Sequence, residues 1–105
     1  MNIMPSIKRS EKELKSLYKD FHRHPEIGFQ ENRTSAIVAK KLNDYGVDLI
    51  DIGLGKTGVV GIIEGRFPGN RCVALRADMD ALPIKETSGV AFASETPGVM
   101  HACGH

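Results

Sequence analysis

The sequence has no tryptophan, only two tyrosines and four phenylalanines, and only two cysteines in 105 residues. Two cysteines, Cys72 and Cys103, are too few for a disulfide framework. That scarcity points to a reducing cytoplasm and leaves at least one thiol for chemistry or metal. No apolar run approaches the ~20 residues that span a bilayer. The first ten residues lack an apolar core of signal-peptide length, so neither membrane insertion nor secretion is expected. Neither sign of charge is in excess: 14 basic and 13 acidic residues leave a net charge of +1. Such a balance gives no electrostatic reason to expect nucleic acid or an anionic membrane as partner. Internal repeats and low-complexity stretches are missing too.

What is present is an ordinary folded composition, 41% hydrophobic and 26% charged, in a chain long enough for one small domain. After a leader at residues 1–9, Ser10-Glu-Lys-Glu13 has the form of a capping box. Leu14, Leu17, Tyr18 and Phe21 then recur at i, i+3, i+4 and i+7, one stripe of an amphipathic helix. Pro25 should end that helix at His24, because its ring disfavours the α region for the preceding residue. A second helix is predicted over residues 31–45, with Ile37, Val38, Leu42 and Tyr45 on its apolar side and Gly46 as a left-handed stop. The pattern then changes to strands at 47–52, 58–64 and 72–77. Phe67-Pro-Gly-Asn70 is turn chemistry, so the last two strands are expected to pair as an antiparallel hairpin. Residues 78–98 have no periodicity and read as a long functional loop. Helix, helix, then strands gives an α/β or α+β class, in which residues 78–105 need a further partner to pack on.

Four stretches carry candidate chemistry. Gly53-Leu-Gly-Lys-Thr57 imitates the end of a phosphate-binding loop, but Ile50 stands where that motif needs glycine and a β-branched strand follows where it needs a helix. It reads as a turn. His22 and His24 have a metal-like spacing, yet i and i+2 on a helix face different ways, so helix-terminal imidazoles near the last carbonyls are the simpler reading. Asp78 and Asp80 share one face of an extended backbone, and two carboxylates held together need a cation, a shared proton or solvent. The bland alternative is a solvated strand end with Asp80 capping the next turn. His101-x-Cys103-x-His105 is the sharpest signal: in extended conformation its three side chains share a face, and imidazole and thiolate suit Zn²⁺, Mn²⁺, Ni²⁺ or Co²⁺. Gly104 allows a tight backbone course between two ligands. Cys72, inside a predicted strand, reads instead as a small buried hydrophobe.

His24-Pro-Glu-Ile-Gly-Phe-Gln-Glu31, Arg76-Ala-Asp-Met-Asp-Ala-Leu-Pro83 with Glu86, and Gly98-Val-Met-His-Ala-Cys-Gly-His105 together resemble the M20 metallopeptidase family. The resemblance is to the subgroup of amidohydrolases acting on N-acyl amino acids, such as hippurate hydrolase and auxin-conjugate hydrolase, and covers the chain from about Leu14. It implies the N-terminal part of an α/β catalytic domain, truncated here, with the lid or dimerisation domain absent. The expected fold is two helices and a hairpin-containing sheet of an incomplete, dinuclear-metal catalytic domain. It also implies two divalent metal ions, a small N-acyl amino acid as substrate, and a homodimer formed through a domain beyond this chain. By the same resemblance Cys103 and His105 are metal ligands. Asp80 matches the catalytic-site aspartate that orients a metal-binding histidine. Asp78 stands where relatives carry that histidine, and His101 is in the motif without being a ligand. The general-base glutamate lies beyond His105, so the chain by itself is expected to be inactive, a non-catalytic fragment or small metal-binding module being the alternative.

Overall fold

The computed structural model describes residues 3–104. Helix α1 spans Pro5–Arg23 and helix α2 Asn32–Asp44; strand β1 (Leu49–Leu54) and strand β2 (Gly58–Ile62) form a two-stranded antiparallel sheet. The α/β class and the order of helices before strands are as the sequence indicates.

Helix α1 begins earlier than the Ser10 box suggests. Pro5 occupies the first helical turn, where its fixed φ suits a helix and its missing N–H costs nothing. The helix is therefore already under way at Ser10, whose hydroxyl donates back to Ser6 O at 3.3 Å instead of capping. The expected leader is thus helical from Pro5. At the other end the His24 N–H donates to Asp20 O and Phe21 O, and Pro25 follows. Helix α2 closes as its sequence reads. Gly46 has φ +77°, its N–H donates to Asn43 O at 3.0 Å, and the Val47 N–H donates to Leu42 O at 3.1 Å. Those are the two bonds of a Schellman stop.

The sheet departs from expectation in its pairing. Strand β2 pairs with β1, in the register Leu49 to Ile62 and Asp51 to Val60, and not with residues 72–77. The turn between them is Gly55–Thr57, the end of the stretch that imitates a phosphate loop, with the Lys56 N–H donating to Gly53 O at 3.1 Å. Gly58 makes this turn possible: a Cβ there would stand 2.5 Å from Leu54 O. Closing a three-residue turn fixes far less chain than closing the longer 63–71 connection, so the local hairpin wins. Residues 72–77 lie outside any strand, with Val73 87% and Leu75 96% exposed. Cys72 is correspondingly exposed, not buried as its place in a predicted strand implied.

The contacts divide the chain into two compact units, one made of Met1–Pro25 with Ala81–His105, the other of Glu26–Asp80. In the first, the residue after the Asp80 boundary, Ala81, is 2% exposed, and Leu82 and Met100 exchange N–H···O bonds of 3.0 Å. In the second, α2 packs on the hairpin. Among the described residues its buried side chains are polar: Glu31, Thr34 and Thr57. A polar network, more than a greasy core, ties this unit together.

Candidate functional site

In the Glu26–Asp80 unit the site-bearing feature is the loop that leads into α2. The first amides of a helix have no intrahelical acceptor. Here Glu26 supplies one from outside: its Oε2 accepts the Arg33 N–H at 3.0 Å, and its Oε1 accepts the Thr34 N–H at 2.6 Å and the Thr34 hydroxyl at 2.7 Å. Partial burial pushes the Glu26 carboxyl up, but the Thr34 hydroxyl and the Thr34 and Arg33 amides outweigh it and hold the group below its ordinary range. At the loop's other end Glu31 Oε2 accepts the buried Thr57 hydroxyl at 2.6 Å, joining the start of α2 to the hairpin turn. Between them Phe29 has φ +66°, which costs a non-glycine residue of order 1–3 kcal/mol. The Lys56 ammonium lies 5.6 Å from its ring centroid.

Asp78 and Asp80 end this unit in a segment outside any helix or strand. Asp78 has a cation in Arg76, Nη2 to Oδ1 at 2.6 Å, which answers the need that paired carboxylates create. Asp80 is half-buried with its carboxylate beside Gly28.

In the other unit the densest polar cluster centres on Glu86. Its carboxylate lies 2.7 Å from His22 Nε2 and also accepts the Ser88 hydroxyl at 2.6 Å and the Ser94 N–H. Side-chain exposure is 12% for His22 and 5% for Glu86. The His22 bond first, then the Ser88 and Ser94 bonds, bring the Glu86 carboxyl down from 4.5 to about 2. An ionised carboxylate only accepts, so His22 Nε2 carries the proton between them. The imidazole also packs edge-on to Phe92, ring centroids 5.5 Å apart, and lies 6.5 Å from the half-buried His101 ring. His24 behaves as a helix-terminal imidazole, Nδ1 3.0 Å from Asp20 O. His22 does not: sequence reasoning missed its bond to Glu86, and the only available hint was that both residues fall in the resemblance motifs or beside them.

Of the expected ligands, Cys103 is a free, exposed thiol, followed by Gly104 at φ +78°, the tight course that position was expected to allow. His105 lies outside the described residues. Among the described residues no group of three or more His, Cys, Asp and Glu side chains is arranged to hold a metal ion. Cys103 offers donor chemistry that suits a divalent ion, but the described residues alone do not form the centre. No described helix is long and apolar enough to cross a membrane.

Against known proteins, residues 74–105 match the model of peptidase family M20/M25/M40. The chain is 44% identical over 110 residues to thermostable carboxypeptidase 2 of Saccharolobus solfataricus, matching 100% of this chain and 28% of that protein. It is 40% identical over 105 residues to hippurate hydrolase of Campylobacter jejuni, matching 100% of this chain and 27% of that enzyme. Among solved structures, a dinuclear metal binding peptidase of the M20 family from Bacillus subtilis superposes with a TM-score of 0.85 at 42% identity, covering 93% of this chain and 27% of that one. The chain thus spans a little over a quarter of the length of these relatives.

Proposed function

The chain belongs to the M20 peptidase family, and from that premise we propose that it is part of a metal-dependent hydrolase that cleaves the amide bond of an N-acyl amino acid. The products are a carboxylic acid and a free amino acid. The observation that carries the reading is that Asp80, Cys103 and His105 all fall inside the 74–105 stretch matched by the family model. Residues 1–105 contribute to the catalytic domain, and a lid or dimerisation domain belongs to the remainder, through which a homodimer forms. In this reading Cys103 as thiolate and His105 as imidazole hold divalent metal, while Asp80 fixes the tautomer and direction of a metal-binding imidazole. Two such ions, zinc, manganese, nickel or cobalt, supply acidified water and a polarised carbonyl when bound. The general base is not among residues 1–105, so the chain alone does not turn over substrate. A cytoplasmic setting fits two cysteines that are both free.

The similarity to a carboxypeptidase supports a second substrate class, peptides with a free C-terminus, whose scissile bond is also an amide next to an amino acid carboxylate. The deciding experiment is elemental analysis of the metal-loaded hydrolase of which this chain is part, and of its Cys103→Ser variant, beside hydrolysis of hippurate and of a blocked dipeptide. Metal and hippurate cleavage lost together in the variant support the proposal. Cleavage of the dipeptide alone selects the carboxypeptidase reading. Metal bound without hydrolysis of either leaves a small metal-binding module, and metal unchanged in the variant returns Cys103 to a structural thiol.

A further inference from the structure

The Glu26–Glu31 loop is held at both ends and strained in the middle. Glu26 is bound to the start of α2 through three hydrogen bonds, and Glu31 to Thr57 through one. A further bond from the Gln30 N–H to Ile27 O, 2.9 Å, tightens the bend that forces Phe29 to φ +66°. Backbone strain of this kind persists only where the surroundings over-determine it, and it raises the question of what the forced shape achieves.

Gly28 supplies the answer. Its φ is outside the left-handed region that Phe29 occupies, so the position asks for no special backbone freedom. What matters there is the missing side chain. A Cβ on Gly28 would lie 3.7 Å from Asp80 Oδ2 and 3.8 Å from Asp80 Cβ. A methyl group would just touch the aspartate, and a β-branched side chain, filling two of the three staggered positions on that Cβ, would compete with the carboxylate for its place.

We propose that the Glu26–Glu31 loop is a rest for the Asp80 carboxylate, with Gly28 and Glu26 as positioning residues. Gly28 presents the bare backbone against which Asp80 lies. Glu26 acts through the loop, its bonds to Arg33 and Thr34 fixing where that backbone stands. The inference rests on the reading of Asp80 as the carboxylate that orients a metal-binding imidazole. Such a group is useful only in one rotamer, since a displacement of ~1 Å in a reacting constellation costs on the order of 100-fold in rate. A wall on one side of Asp80 removes the alternatives before any metal arrives.

The test is NMR on the full 105-residue chain without metal, reading the three-bond couplings that report χ1 of Asp80. Wild type and Gly28→Ala should show the couplings of a single staggered rotamer. Gly28→Val and Glu26→Gln should both lose them and show averaged values. The glutamine keeps one acceptor oxygen but turns an N–H pair toward the amides of α2. Amide shifts of Leu49–Ile62 report whether each variant keeps its fold, and if Glu26→Gln loses the hairpin, Gly28→Val decides. An Asp80 already averaged in wild type, or still locked in a folded Gly28→Val, overturns the proposal. Asp80 locked in a folded Glu26→Gln overturns the role of Glu26. Neither metal nor substrate takes part, so a failed hydrolase reading would show separately, as absent metal binding with Asp80 still locked.

Discussion

Replacing Thr57 by valine keeps the shape of the side chain and deletes its hydroxyl. Thr57 is 8% exposed and Glu31, which accepts that hydroxyl at 2.6 Å, is 7% exposed. The loss is therefore not made good by bulk water. A hydrogen bond to a charged group contributes ~1.5–3 kcal/mol net, and removing the donor leaves the carboxylate to carry its own desolvation. An expectation of ~2 kcal/mol follows, which at a urea slope of ~2 kcal/mol/M lowers the unfolding midpoint by ~1 M. The measurement is urea unfolding at neutral pH followed by circular dichroism, on wild type, Thr57→Val, Glu31→Gln and the double variant. The two residues share one bond, so the double variant should lose clearly less than the sum of the singles. A Thr57→Val midpoint within ~0.2 M of wild type, less than ~0.5 kcal/mol on that slope, would refute the view that a buried polar network ties α2 to the hairpin.

Glu86 gives a prediction in pH. Its carboxyl titrates at about 2 in the folded chain against 4.5 for the free group. A lowered folded value means that the stability it contributes is complete above 4.5 and drains away as pH falls toward 2. Acid unfolding followed by the near-ultraviolet signal of Tyr18 should therefore be shallower across that window in Glu86→Gln than in wild type. Equal slopes would remove Glu86 as the titrating group. Gly58→Ala places a Cβ 2.5 Å from Leu54 O; overpacking of this kind costs ~1–3 kcal/mol. Amide exchange across Leu49–Ile62 should accelerate, whereas unchanged protection would mean the turn relaxes without cost.

Much of the fold was legible in short-range signals. The apolar stripe from Leu14 to Phe21, the Pro25 boundary and the Gly46 stop each act within a turn of the residue concerned, and each element ends where they say. The start of α1 was misread because two signals competed, and Pro5 acts earlier in the chain than the Ser10 box. The hairpin partner was misread for a different reason. Two turn-forming stretches flank β2, and which one closes depends on chain length and on the close approach at Gly58, which no propensity encodes. The candidate site divides in the same way. The ligand chemistry of Cys103 and His105 and the carboxylate of Asp80 can be read from sequence, whereas the His22–Glu86 bond joins residues 64 apart and leaves no periodic trace. The external capping of α2 by Glu26 was equally hidden, because a residue so far before a helix is not where a cap is sought.

The unit built from Met1–Pro25 and Ala81–His105 is discontinuous, and this sets an order of events during synthesis. Tyr18 and His22 emerge from the ribosome first, but Glu86 and Phe92, which hold them, are made some sixty to seventy-five residues later. At ~5–20 residues per second that is a wait of several seconds. The Glu26–Asp80 unit is continuous, and its hairpin closes through neighbouring residues on the scale of ~1–10 μs. The middle of the chain can thus be settled while α1, made before it, still awaits the residues that complete its unit.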